Sequence, residues 1–171
     1  MAVWKQASDI QIIEKVDVEK QIGLVKIKVY YNYEKIKSKG EIEYNIFGNG
    51  HIIARHSFQP STDDLPNLPR FGISMELPKD FENIVWYGRG PHENYWDRKS
   101  SSMVDIFSGK VSEQFHPYIR PQESGNKTDV RWAAFRNYSG AGIMFSGFFS
   151  FNASHYNPED FDHGFDPLLD G

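Results

Sequence analysis

Leu24-Val25-Lys26-Ile27-Lys28-Val29-Tyr30-Tyr31-Asn32-Tyr33 decides the fold class. Val25, Ile27, Val29, Tyr31 and Tyr33 fall on one side of an extended chain, and Lys26, Lys28 and Asn32 fall on the other. A period of two with one wet face is the mark of a half-buried β-strand. The polar run Glu34-Lys35-Ile36-Lys37-Ser38-Lys39-Gly40 then reads as a turn. Ile42, Tyr44 and Ile46 line one face of the next strand, and Gly48-Asn49-Gly50 is a hairpin turn that returns the chain through His51 to Phe58. Upstream, Ile10 to Val18 alternates more loosely as a first strand. These segments predict an antiparallel meander.

The alternation continues beyond the meander. Pro60 to Pro69 is a proline-rich loop, Arg70 to Leu77 predicts a strand stopped by Pro78, and Phe81 to Tyr87 predicts another. Ser100 to Gly109 is expected to hold a short helix or a turn, with Met103, Ile106 and Phe107 at helical spacing. Strand character resumes from Arg131 through Ala134. After the turn at Gly140-Ala141-Gly142, Ile143, Phe145, Gly147, Phe149 and Phe151 share one face, with Met144 and Phe148 opposite. In the tail, Pro158 to Phe161 is expected to start a helical turn, and residues 157–171 form a loose end. No long helical pattern occurs. Short strands joined by Gly/Pro turns predict an all-β fold, an antiparallel β-sandwich, with a barrel as the alternative.

Composition narrows the function classes. The 171 residues suit one domain, 1–171, with 39% hydrophobic and 25% charged residues, as in globular proteins. A formal net charge of -4 argues against nucleic acid, and no run reaches membrane-spanning length. The absence of cysteine excludes disulfides, thiolate metal sites and thiol nucleophiles. His51, His56, His155 and His163 show no metal-ligand spacing, so no metal site is expected in the chain.

Chemistry-bearing residues concentrate in two stretches. The first is Trp86-Tyr87-Gly88-Arg89-Gly90-Pro91-His92-Glu93-Asn94-Tyr95-Trp96-Asp97-Arg98. The second is Pro117-Tyr118-Ile119-Arg120-Pro121-Gln122-Glu123-Ser124-Gly125-Asn126, followed by Asp129-Val130-Arg131-Trp132. Gly88-Arg89-Gly90-Pro91 lacks the spacing and the lysine of a phosphate loop; its glycines read as positions of close backbone approach. Trp96, Tyr118 and Trp132 are candidates for stacking on a sugar face, although the same residue types also suit half-buried core positions. His92 and His116 could act as bases in a sugar epimerase or anomerase, or simply as hydrogen-bonded loop groups. Glu93, Asp97, Arg98, Arg120, Glu123, Asn126 and Arg131 are expected to organise the loops, with Arg98 pairing to Glu123 or Asp129. Glu93 with Glu123 is the formal candidate pair for glycoside hydrolysis.

The two stretches, together with Phe151-Asn152-Ala153-Ser154-His155-Tyr156, resemble the C-terminal domain of the large β-galactosidases of glycoside hydrolase family 2. The resemblance runs from Trp4 to about Phe161. It implies a large antiparallel supersandwich related in shape to the galactose mutarotase fold. It also implies a non-catalytic role beside the galactoside pocket of a retaining enzyme. The catalytic glutamates and the magnesium and sodium sites of that family belong to a separate barrel domain, so no catalytic residue and no cofactor is expected here. The implied partners are that barrel, a carbohydrate, and a second copy of the chain through exposed sheet edges. The family domain continues past the Tyr156 region with further strands, so the sandwich is expected to be truncated and incomplete. The alternatives are a free-standing mutarotase-like epimerase and a carbohydrate-binding module. For a bacterial source the compartment would be cytoplasm or periplasm.

Overall fold

The computed structural model describes Trp4, residues 11–62, 64–120 and 122–157, and Asp160. It contains eight strands among the described residues: β1 (Gln11–Gln21), β2 (Leu24–Tyr33), β3 (Ser38–Phe47), β4 (Ile52–Gln59), β5 (Asn83–Gly90), β6 (Met103–Lys110), β7 (Lys127–Arg136) and β8 (Gly142–Phe151). They form two open antiparallel sheets of four, ordered β1-β2-β3-β4 and β6-β5-β7-β8. The all-β antiparallel expectation therefore holds. Two separate open sheets are the parts of a sandwich, and neither closes into a barrel. The sheets fall in two compact units, Met1–Met75 and Glu76–Gly171.

In the first unit, the register opposes Val29 to Ile42 and Ile42 to His56, so the apolar positions of β2, β3 and β4 share one face. The other face is charged. Lys28 Nζ lies 3.3 and 3.2 Å from Glu41 and Glu43, and Arg55 lies 3.1 Å from Glu43. The meander thus follows the period-two pattern, and the Gly48-Asn49-Gly50 turn joins β3 to β4. Arg70 to Leu77 alternates without forming a ladder, which corrects the expected strand. Pro66, Pro69 and Pro78 flank or punctuate this run, and prolines remove ladder donors.

The second unit has its core on one face of its sheet. Ile84, Trp86, Val130 and Ala133 are buried, with Phe107, Phe135, Phe149 and Phe151 packed against them. Burying each large side chain contributes about 2 kcal/mol. Gly88 belongs to this packing: a Cβ there would lie 2.7 Å from Val130 Cγ2 and 2.9 Å from its Cα. Ser100 to Gly109 is no helix: β6 starts at Met103 and pairs with β5. Its residues are apolar on both faces, so Met103, Ile106 and Phe107 fit helical spacing as well as a strand. Pairing with β5 settles the matter, setting Phe107 opposite Trp86 and Ile106 opposite Tyr87. The face opposite the core carries Tyr87 and Trp132, which are register partners. Met144 (64% exposed) and Phe148 (73%) stand out from β8 as the alternation predicted. The expected helical turn at Pro158 to Phe161 and most of the 157–171 tail lie outside the described residues.

Candidate functional site

Strand β5 delivers the first motif to the edge of the sheet, and a cis Gly90-Pro91 peptide turns the chain into the loop that carries His92 to Ser102. The second motif approaches through Val111 to Asn126 and enters β7 at Lys127. Half of the second motif is therefore strand, not loop.

The two motifs meet at a buried amide. Asn94 is fully buried. Its N–H donates to Asn126 O at 2.8 Å, and its own carbonyl accepts from Asn126 Nδ2 at 2.7 Å. Its side-chain oxygen accepts from the N–H and the hydroxyl of Thr128, and its Nδ2 donates to His92 O at 3.1 Å. Every polar group of this residue has a partner, as burial demands. The sequence reading missed Asn94 and Thr128. Their one signal was an asparagine inside a motif dense in Arg, Glu and aromatics.

Glu93 forms a second knot beside the first. Its carboxylate is 13% exposed and accepts from Arg98 Nη2 at 3.0 Å, from the Tyr118 hydroxyl, and from Gly125 N–H at 2.7 Å. Arg98 also donates to the Tyr118 oxygen at 2.8 Å and packs its guanidinium over the Tyr95 and Tyr118 rings. Arg98 is thus paired with Glu93, not with Glu123 or Asp129. Its partner is five residues away on its own loop, and the tyrosine comes from the other. Gly125 adopts φ +84°, and a Cβ there would lie 2.6 Å from Gln114 O, so only glycine fits. Beneath it, Lys127 is 2% exposed, donates to Gly125 O at 3.1 Å and lies over the Trp86 ring. Burial pushes its pKa down to about 8, against the opposing pull of the Glu93 charge.

A third group pins the first loop to the sheet. Arg89 Nε donates to Asp129 at 2.5 Å and its Nη1 to Ser102 O at 2.6 Å, while Lys99 Nζ lies 3.3 Å from the same carboxylate. The Arg89 hydrogen bond leads in holding the Asp129 carboxyl below its ordinary range. Asp129 sits at φ 51° where the β7–β8 register shifts, a left-handed position that aspartate tolerates. Lys99 also stands 4.0 Å over the ring of Trp96, which is 68% exposed.

The structure therefore gathers Glu93, Arg98, Tyr118, Asn126 and His116 at one place. His116 packs edge-on against Tyr118 at 4.4 Å and donates its N–H to Ser124 Oγ. His92 Nε2 lies 3.3 and 3.0 Å from the hydroxyls of Ser101 and Ser102. Asp97 is exposed in the tight turn closed by Arg98 N–H to Tyr95 O, and Arg120 is exposed. Glu123 accepts from Asn152 Nδ2 at 3.0 Å. Two expected loop members stand elsewhere. Arg131 is stacked between Tyr87 and Phe148 and donates to Asp129 O, and Trp132 lies on the sheet face opposite Trp86. Strand β7 begins early enough to carry both away from the loops. Chemically, the knot offers an aromatic and guanidinium surface whose carboxylate already holds three donors. Among the described residues, no group of three or more His, Asp or Glu could hold a metal ion.

A family model described as Beta galactosidase small chain matches residues 1–165. The chain belongs to the β-galactosidase small-chain family. The sequence is 39% identical over 165 residues to a β-galactosidase of Priestia megaterium, covering 94% of this chain and 16% of that protein. It is 35% identical over 145 residues to a β-galactosidase of Halalkalibacterium halodurans, covering 82% of this chain and 14% of that protein. A β-galactosidase of Streptococcus thermophilus is 28% identical over 170 residues, 95% of this chain and 16% of its own length. The small-chain match spans all three polar groups described above, and the chain spans about a sixth of the length of these relatives.

Proposed function

We propose that this chain is a non-catalytic part of a retaining β-galactosidase, bordering the galactoside pocket and stabilising the assembly. The observation that carries the reading is the family match over 1–165, read with the fate of the acids. Glu93 is tied to Arg98, Tyr118 and Gly125, and Glu123 to Asn152. A hydrolytic pair needs two carboxylates free to face one glycosidic bond. In this reading the reacting carboxylates, with magnesium and sodium, reside on a barrel elsewhere in the parent protein. The barrel and a terminal β-D-galactoside are then the partners of the loop surface. Trp96 and Tyr118 supply aromatic faces to it and Arg98 a hydrogen-bond donor.

The test is kinetic. The purified chain is expected to leave a chromogenic β-galactoside uncleaved. In the intact parent enzyme, Trp96→Ala is expected to weaken substrate use or assembly while leaving the barrel folded. Hydrolysis by this chain alone, abolished by Glu93→Gln, would overturn the reading.

A further inference from the structure

The first unit contains a cleft that the loop surface does not use. Its volume is about 490 Å³, within the range of small-molecule sites. It opens on the apolar face of β2, β3 and β4, with the segment around Phe71 on its other side. Its walls are aromatic: Trp4 packs edge-on against Phe58 at 6.0 Å, and His56 lies 4.5 Å from Phe71 and 6.4 Å from Tyr31. Trp4 is fastened there by its indole N–H, which donates to Pro66 O at 3.1 Å.

Within this apolar setting one polar group stands out. Both ring nitrogens of His56 are buried, and neither has a hydrogen-bond partner. A neutral imidazole presents one donor and one acceptor, and leaving both unmet is unfavourable. Tyr31, Tyr33 and Tyr44 also line the cleft. Burial raises the pKa of Tyr31 and Tyr33 and lowers that of His56, so all three are held neutral near pH 7. Neutral donors and acceptors among aromatic faces disfavour an ionic ligand. A purely apolar ligand would leave the imidazole unmet. A hydroxyl supplies both a donor and an acceptor, and the C–H face of a saturated ring packs on aromatic walls.

We propose that this cleft is a binding site for a hydroxyl-bearing ring of the pyranoside class, oriented by His56 and gripped between Trp4, Phe58 and Phe71. The site lies wholly within the first unit and stands apart from the proposed function of the loops.

The test is a titration of the full chain with methyl β-galactoside, followed by the indole N–H signals of its tryptophans in NMR spectra. A saturable shift at Trp4 is expected, with a Kd on the order of 1 mM as befits one small ring. His56→Phe should abolish that shift. Tyr44→Phe should weaken binding about threefold or more, and it serves as the second variant should His56→Phe not fold. No Trp4 shift up to about 100 mM ligand would overturn the proposal. An unchanged shift in either folded variant would do so too. Shifts confined to Trp96 or Trp132 would also overturn it, assigning sugar to the second unit and leaving the proposed function standing.

Discussion

Thr128 donates twice to a single atom: its backbone N–H at 2.9 Å and its hydroxyl at 2.5 Å both reach Oδ1 of Asn94. Both residues are fully buried, and they come from different motifs. An amide so placed acts as a rivet between the loop after β5 and the start of β7. Asn94→Ala would strand the Thr128 donors in a dry site, where each unmet group costs about 1–3 kcal/mol. The expected loss is about 3 kcal/mol, or roughly 6–12 °C in Tm for a chain of this size. Calorimetry checks this; a drop under about 1 °C would show that the rivet bears no load.

The Glu93 knot should show graded sensitivity. Glu93→Gln replaces one acceptor oxygen by an N–H₂ group that faces the donors Arg98, Tyr118 or Gly125. Tyr118→Phe removes one hydroxyl that both donates and accepts. Arg98→Ala removes a partner that is 54% exposed, where ion pairs contribute little. The expected order of destabilisation is Glu93→Gln, about 2 kcal/mol, then Tyr118→Phe, about 1 kcal/mol, then the pairing contribution of Arg98, below about 1 kcal/mol. Urea unfolding of the three variants tests the order. An Arg98 effect larger than that of Glu93 would contradict the assignment of the carboxylate as the hub.

The first sheet was legible because water enforces its pattern. Val25 to Tyr33 alternates since one face meets apolar partners and the other meets Lys28, Glu43 and Arg55 in solution. β6 was not legible, because Met103, Ile106 and Phe107 carry apolar character to both faces and erase the period. The candidate site divided the same way. That Glu93, Arg98 and Tyr118 gather could be expected from their density in the motifs. Their actual pairing could not, because it depends on loop paths that bring position 118 to position 93. Trp132 and Arg131 read as site residues since they follow the motif in sequence, yet an early start to β7 sends them to another face.

Acid should release the first loop before the sheets. The Arg89 hydrogen bond and Lys99 hold the Asp129 carboxyl below its ordinary range. A carboxyl with a depressed folded-state pKa adds stability that is fully present above its unfolded value, near 3.9, and lost as pH falls through the folded one. Asp129→Asn should therefore destabilise the chain at pH 7 and flatten the stability profile below about pH 4. Thermal melts from pH 7 to 2.5 measure this. Parallel profiles for the two proteins would show that Asp129 is not coupled to folding.

Lys127 predicts the opposite slope on the alkaline side. The folded chain holds its amine at about 8, against 10.5 for an ordinary lysine. Between those values the unfolded chain binds more protons than the folded one, so this group makes stability rise with pH. The full effect approaches about 3 kcal/mol. Below pH 8 the ammonium is charged in both states, and the fold bears the cost of burying it beside one carbonyl and the Trp86 ring. Lys127→Met, similar in length and apolar, should match or exceed wild-type stability at pH 7, and lose the wild type's relative gain between pH 8 and 10.5. Paired urea titrations at pH 7, 8.5 and 10 give the difference directly. A wild-type curve that falls relative to Lys127→Met as pH rises would mean the amine is held charged by partners that outweigh its burial.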